Sequence, residues 1–213
     1  LYTVYCKRHF EECNSGRTYD KAVTKDILSF AGWSLLGNFG ITCRDQVTNI
    51  FFNVFFQTPV VNAARGIATQ VSGIISTFAT NITMAINPQI TKNYSSGNMK
   101  ESVSLVFIGC RASFYMLTLI VVPFVVNVDY VLELWLGKVP ENTSLFLYFI
   151  LGVALIYSLS QPITVAIQAT GEIKAFQIWI FSLMLLEVCL TYIVLWLTGS
   201  LVYALVPSVV VNL

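Results

Sequence analysis

The sequence predicts an all-α protein, a polytopic bundle of transmembrane helices with about six spans. Hydrophobic residues make up 56% of the chain and charged residues 11%, whereas a soluble domain has about 25% charged residues. The mean hydropathy is +0.72. Long apolar stretches recur along the chain between short polar segments. Because water cannot cover this much apolar surface, we predict an integral membrane protein rather than a soluble domain.

The apolar stretches reach or exceed the length of about 20 residues that crosses a hydrocarbon core. The predicted spans cover residues 27–56, 60–90, 103–126, 145–169, 176–198 and 201–213. The chain starts at Leu1 rather than Met and stops within the last apolar stretch. We therefore expect a fragment of a longer protein, with segment 1–26 preceding a six-helix transmembrane lobe at 27–213 whose last helix is truncated.

The distribution of basic residues predicts the orientation in the membrane. Short cytoplasmic segments are enriched in lysine and arginine. One side of the predicted bundle receives most of these residues: Lys7, Arg8, Arg17, Lys21, Lys25, Lys92, Lys100 and Lys174. The other side receives Lys138, with Arg65 at its border. Residues 1–26 are thus predicted to be cytoplasmic, and 127–144 to face the opposite side.

Polar residues recur at helical spacing along the first two spans. In each span they lie on one side of an α-helix, because they are three or four residues apart. The stripe of the first span consists of Asn38, Thr42, Asp45, Asn49 and Asn53, and that of the second of Asn62, Arg65, Thr69, Ser72, Ser76, Thr80, Thr83 and Asn87. Polar groups in a membrane face the bundle interior or a watery cavity. The two stripes therefore suggest an aqueous path, which is typical of a transporter.

Charged residues also occur within the spans, at Arg44, Asp45, Arg65, Arg111 and Glu187. Each charge at the centre of a bilayer costs about 2.5–3.5 kcal/mol on insertion scales. For Arg44 and Asp45, pairing with neighbouring helices and a functional role in a cavity both remain open, and Arg44 could also snorkel to the membrane surface. For Arg65 the alternatives are an anchor at headgroup level and a role in a cavity. For Arg111 the partner could be a backbone carbonyl or Glu187. A neutral, hydrogen-bonded Glu187 would suit both a structural role and proton coupling.

The fourth span adds polar residues at steps of four, three and four: Tyr157, Gln161, Thr164 and Gln168. They serve either hydrogen bonding between helices or a polar ligand. Amides, hydroxyls and arginines together suit a bulky hydroxylated or phosphorylated ligand, because arginine donates paired hydrogen bonds to phosphate. The sequence has a single histidine and no Ser–His–Asp set, P-loop or HExxH motif. We therefore expect neither an enzyme nor a bound cofactor.

Two further ligand classes are not favoured. Cys6, His9 and Cys13 have ligand-like spacing but lack a fourth partner nearby, so a solvated strip next to the membrane is preferred to a metal site. The basic residues are dispersed rather than clustered with aromatic residues. This pattern gives no indication of nucleic-acid binding.

Several short motifs carry a family resemblance. They are Tyr5-Cys6-Lys7-Arg8 with Phe10-Glu11, Asn62-Ala63-Ala64-Arg65-Gly66-Ile67-Ala68, Pro88-Gln89-Ile90-Thr91-Lys92, Leu134-Trp135-Leu136 with Val139-Pro140, and Ile167-Gln168-Ala169-Thr170-Gly171. Their order and spacing resemble the polysaccharide-transporter branch of the MOP (multidrug/oligosaccharidyl-lipid/polysaccharide) exporter superfamily. The resemblance is greatest to O-antigen flippases of the Bacteroides type, over residues 1–200.

The resemblance implies one lobe of a MATE-like two-lobe transporter in the bacterial inner membrane. Such proteins surround a central cavity with two six-helix lobes. They move undecaprenyl-diphosphate-linked oligosaccharide to the periplasmic leaflet by alternating access, for O-antigen, lipopolysaccharide or capsule export. By this likeness the chain is the second lobe, and its first two helices line the cavity. The implied partners are the N-terminal lobe, the lipid bilayer, the lipid-linked oligosaccharide, and polymerase and assembly proteins.

The leading hypothesis is thus a flippase. Its predicted substrate-binding residues are Arg65, Arg44 and Arg111 for diphosphate or acidic sugars, and Asn49, Asn53, Asn62, Gln70, Gln161 and Gln168 for sugar hydroxyls. Asp45 and Glu187 are the candidates for coupling to an ion gradient. The alternatives are a multidrug/cation antiporter of the same superfamily, and a scaffold of a polysaccharide assembly complex that transports nothing.

Overall fold

In the computed structural model, the described residues are Tyr5, Cys6, Arg8, Phe10 and 20–212. His9 and Cys13, weighed above as metal ligands, lie outside them. Between residues 20 and 212 the helices are α1 (Lys21–Phe56), α2 (Pro59–Ser95), α3 (Met99–Val126), α4 (Val128–Leu136), α5 (Thr143–Ala169), α6 (Lys174–Thr198) and α7 (Leu201–Asn212). All-α architecture is confirmed.

Local sequence explains where the long helices begin and turn. The Asp20 carboxylate accepts a hydrogen bond from the Ala22 amide at 2.8 Å and so caps α1. Gln57, with φ at 50°, ends α1 in a left-handed conformation. Pro59 follows at the start of α2, where its missing N–H costs nothing. This short turn makes α1 and α2 neighbours in an antiparallel hairpin.

Several helices extend beyond the predicted spans. α1 begins at Lys21 rather than residue 27, α2 continues past residue 90 to Ser95, and α3 begins at Met99 rather than residue 103. Residues 127–144 were read as a connecting segment but contain the nine-residue helix α4. The Ser144 hydroxyl donates to the Asp129 carboxylate at 2.6 Å, which ties α4 to the start of α5.

Among the helices that the structure describes, three are long and apolar enough to cross a membrane: α3, α5 and α6. α1 and α2 contain 36 and 37 residues, but their polar stripes lower the hydropathy. In α7 only 12 residues are described. Large apolar side chains on the outer surface are exposed, such as Leu119 at 72% and Trp196 at 68%. An exposed apolar surface of this kind is compatible with contact with lipid. The structure supports three membrane-crossing helices, and the total of six spans stays a prediction.

The helices form two groups that meet along α5 and α7. α2, α3 and α5 pack against one another, whereas α1 packs on α6, and α6 on α7. Small residues allow close approach within each group. A Cβ added to Gly109 of α3 would lie 3.2 Å from the Pro162 ring of α5. α1 and α2 touch each other little, so their polar stripes flank an open groove.

Candidate functional site

Four charged side chains from three helices meet where α1, α2 and α6 approach one another. Arg44 and Asp45 come from α1, Arg65 from α2 and Glu187 from α6; together they form the charge cluster. The sequence separates its members by as much as 143 residues. Two arginines and two carboxylates give the cluster no formal net charge, which lowers the cost of holding it between helices.

Arg44 is the centre of the cluster. Its Nη2 and Nε lie 3.0 and 3.1 Å from Asp45 Oδ1. Its Nη1 donates to Glu187 Oε2 at 3.4 Å and also lies 3.3 Å from the Met184 sulfur. The side chains of Arg44 and Glu187 are only 20% and 8% exposed. This partly desolvated pair therefore links α1 to α6 rather than letting Arg44 snorkel to the membrane surface.

Arg65 completes the cluster from the other helix group. Its Nη1 donates to the Asp45 backbone carbonyl at 3.2 Å and to the Asn49 side-chain oxygen, while Nη2 lies 3.8 Å from Asp45 Oδ1. The guanidinium also lies 5.6 Å from the centre of the Phe52 ring, within cation–π range. Arg65 is 14% exposed and Asp45 47%. Asp45 is thus the member that solvent reaches most easily.

A cavity of about 200 Å³ adjoins the cluster between the two helix groups. Its walls combine the four charges with hydroxyls and with apolar and aromatic side chains. Besides the cluster, the lining residues include Thr48, Phe52, Thr69, Phe146, Phe149, Thr191, Ser208 and Asn212. A wall of this kind strengthens electrostatic contacts, because the aromatic rings exclude part of the water.

A second opening of about 430 Å³ lies on the groove side of Arg65. It is lined by Asp45, Asn49, Asn62, Arg65, Gly66 and Thr69. The Asn62 amide donates to the Asn49 backbone carbonyl at 3.4 Å, but its buried oxygen has no partner among the described residues. An unsatisfied buried acceptor costs about 1–3 kcal/mol. The site therefore has one unused acceptor beside its arginine.

A third cavity, of about 280 Å³, lies further along α2. The later part of the α2 stripe lines it, with Ser76, Thr80 and Thr83. Tyr157 and Gln161 of α5 face the same space. The stripe of α2 thus lines all three spaces, the two beside the charge cluster and the uncharged one. Along it, Thr69 and Thr80 are exposed whereas Ser72 and Thr83 are buried.

The structure places the predicted residues in three sets. The first set surrounds the charge cluster: Arg44, Asp45, Asn49, Asn62, Arg65 and Glu187. Gln161 belongs to the uncharged cavity. The third set is exposed and apart from both: Asn53, Gln70, Arg111 and Gln168. Arg111 forms no ion pair within the part of the chain that the structure describes, since Glu187 pairs with Arg44 instead.

Sequence reasoning missed most of the uncharged residues that line the cavity beside the charge cluster. Phe52, Phe146 and Phe149 are ordinary apolar residues of their spans, so no sequence signal distinguishes them. Ser208 and Asn212 did carry a signal, a polar pair at helical spacing, and Asn212 donates to the Ser208 carbonyl at 2.6 Å. Thr48 likewise follows Arg44 by one turn and donates to its carbonyl at 2.8 Å.

Comparison with known proteins identifies the family of the chain. No curated protein and no solved structure matches the chain. The model of the MatE family matches residues 34–193, which include α1 from its fourth turn onward and most of α6. Members of that family are membrane transporters rather than enzymes. The chain belongs to the MatE family, within the MOP superfamily of transporters.

Proposed function

We propose that this chain is the cavity-lining lobe of a flippase that moves undecaprenyl-diphosphate-linked oligosaccharide across the bacterial inner membrane. The single observation that carries the proposal is the placement of Arg44 and Arg65 beside a cavity that opens between two groups of helices. Arginine suits diphosphate because its planar fork donates two parallel hydrogen bonds. The partly desolvated position strengthens such bonds relative to those in water.

Asp45 acts in this proposal as an internal substitute for the substrate phosphate. Its Oδ1 lies 3.0 Å from Arg44 and 3.8 Å from Arg65, where a phosphate oxygen would compete for the same donors. Asp45 is also the most exposed member of the cluster. An arriving diphosphate displaces Asp45 from the arginines, and the released carboxylate is then free to take up a proton or cation.

The amides near Arg65 supply contacts for the sugar next to the diphosphate. The Asn62 side-chain oxygen, which has no partner among the described residues, accepts a hydrogen bond from a sugar hydroxyl, and Asn49 lines the same opening. The lipid tail stays in the bilayer beside the groove between α1 and α2. Binding to Arg65 breaks its contacts with α1 and so loosens one link between the two helix groups, which is the kind of change that alternating access needs.

The direct test is the variant Arg65→Ala in the full-length protein. Loss of the charge-assisted hydrogen bonds, each worth about 1.5–3 kcal/mol, should lower the rate of flipping about 10- to 100-fold. Flipping is measured in proteoliposomes with a diphosphate-linked oligosaccharide, and insertion is checked by the amount of protein in the membrane. Lys100→Ala, a basic residue of the loop end of α3, is the matched control and should flip normally. Unchanged flipping by inserted Arg65→Ala would contradict the proposal.

One observation favours a second candidate, a multidrug/cation antiporter. The cluster contains two carboxylates, because the structure adds Glu187 to Asp45, and organic cations bind carboxylates. The two functions differ in the effect of Asp45→Asn. In a flippase this change removes the Asp45 carboxylate that competes for both arginines and preserves or raises affinity for diphosphate, whereas in an antiporter it removes a cation ligand and lowers resistance to cationic drugs. Drug susceptibility of cells that carry the variant separates them.

A further inference from the structure

The uncharged cavity between α2, α3 and α5 is a candidate binding site in its own right. Its volume is about 280 Å³, close to the lower limit of roughly 300 Å³ for small-molecule sites. None of its described lining residues is charged. Polar groups reach it from α2 and α5, at Ser76, Thr80, Tyr157 and Gln161. It is therefore a polar but neutral space, sized for one ring.

Part of its hydrogen-bonding capacity is unused. Thr80 and Ser158 donate to carbonyls of their own helices, at 3.1 and 2.7 Å, so their oxygens remain free to accept. The side chains of Ser76, Tyr157 and Gln161 make no hydrogen bond with any described residue. The cavity consequently offers hydrogen-bond donors and acceptors to a ligand. A wall in which every hydroxyl bonded only to its own helix would offer fewer.

The combination of polar and apolar side chains in the cavity wall favours one chemical class of ligand. Amide and hydroxyl groups pair with ligand hydroxyls, while Leu117, Ala79 and Ala154 are apolar. The Tyr157 side chain is 51% exposed at this cavity and offers a ring face. A pyranose has both features, a rim of hydroxyls and apolar C–H faces. An anionic or cationic group would find no counter-charge here and would lose hydration without compensation.

We propose that this cavity binds one uncharged pyranose unit of the transported chain, remote from its diphosphate. This inference rests on the proposed function, since it assigns a second subsite to the same substrate. Ser76 lies on the same face of α2 as Arg65 and roughly 17 Å further along the helix axis. A ligand that fills both sites is therefore extended, with an anionic end at the charge cluster and a neutral saccharide stretch at the cavity.

The test compares two ligands in nanodiscs free of sugar-based detergent: undecaprenyl diphosphate with one glucose, and the same lipid with five glucoses. Wild-type full-length protein should bind the longer ligand more tightly. Tyr157→Ala/Gln161→Ala should lower affinity for the longer ligand about tenfold and leave that for the shorter one unchanged. If the alanine variant does not fold, the near-isosteric variant Tyr157→Phe/Gln161→Met replaces it. This variant should lower the affinity for the longer ligand in the same way. Tyr148→Ala, on α5 but outside the cavity, is the matched control.

The outcomes separate this inference from the proposed function. Equal affinity of wild-type protein for both ligands overturns the pyranose subsite, as does a preference for the longer ligand that survives in the folded Tyr157 and Gln161 variants. Arg65→Ala should lower the affinity for both ligands to the same extent. If Arg65→Ala lowers the affinity for neither ligand, the flippase proposal fails, whatever the cavity variants show.

Discussion

Glu187 is the most buried member of the charge cluster, with 8% of its side chain exposed. Removing one partner of a buried ion pair leaves the other charge uncompensated and costs about 3–5 kcal/mol. Because Arg44 keeps its contact with Asp45, we expect Glu187→Ala to lower the free energy of unfolding by about 3 kcal/mol, at the bottom of that range. The measurement is denaturant unfolding of the purified protein in mixed micelles.

Asp45→Ala is the comparison for Glu187→Ala. Asp45 is 47% exposed, and solvent screens its interactions, so its loss should cost about 1 kcal/mol or less. A double-mutant cycle between Arg44→Ala and Glu187→Ala would give the coupling free energy of the pair directly. If Asp45→Ala proved more destabilising than Glu187→Ala, the role of Glu187 as the main structural partner of Arg44 would be wrong.

The sequence identified the charged residues of the cluster but not how they pair. Helical spacing placed Asp45, Asn49 and Arg65 on polar stripes, and the structure brings all three together. The pairing of Arg44 with Glu187 depends on how α1 packs against α6, which local spacing does not encode. For the same reason the sequence left two roles open for Arg111, packing against a carbonyl or Glu187 and contact with a ligand, whereas the structure leaves Arg111 exposed.

At the scale of helices, α1 and α6 owe their close contact to glycine. Gly40 is buried, and a Cβ added there would lie 2.8 Å from Cδ2 of the Phe181 ring. Gly40→Ala therefore forces the ring or the helix to move, and overpacking of this kind costs about 1–3 kcal/mol. We expect the variant to unfold at lower denaturant concentration than wild type. It should also weaken the Arg44–Glu187 contact, which the same interface holds.

Gly32→Ala provides the matched control on the same helix. A Cβ at Gly32 would have no heavy atom within 4 Å, and alanine is a better helix former than glycine by about 1 kcal/mol. This variant should leave stability unchanged or raise it. Equal destabilisation by the two substitutions would show that the contact with Phe181 does not govern the effect of Gly40→Ala.

Element boundaries were predictable where local chemistry determines them. The proline indicated the boundary between α1 and α2. Only Gln57 and Thr58 separate the two helices, and α2 begins at Pro59. The helix α4 was missed because its apolar residues lie in a segment too short to span a bilayer. What stabilises it is tertiary: Val128 and Leu132 are 2% and 0% exposed within the core, and Asp129 binds Ser144 of α5. Such long-range burial is not visible from composition.

At the scale of the whole molecule, the packing of the two helix groups and the groove between them determine which residues are exposed to water. α2 carries the clearest test, because its polar residues alternate between exposed and buried positions. In a background without the native cysteines, Thr69→Cys and Thr80→Cys should react with a membrane-impermeant maleimide in the full-length protein in native membranes. Ser72→Cys and Thr83→Cys should react at least about tenfold more slowly, since local opening must precede their reaction.

Ile74→Cys is the control for exposure to lipid rather than to water. Ile74 is 59% exposed but lies on the side of α2 opposite the polar stripe, so Ile74→Cys should react only with a membrane-permeant reagent. Failure of both Thr69→Cys and Thr80→Cys to react in the inserted protein would contradict the aqueous groove. That result would favour the scaffold hypothesis, in which the polar stripes are buried against protein. Reaction at both positions, with Ile74→Cys silent, requires water beside α2 at the depth of the cavities, which a transporter needs and a scaffold does not.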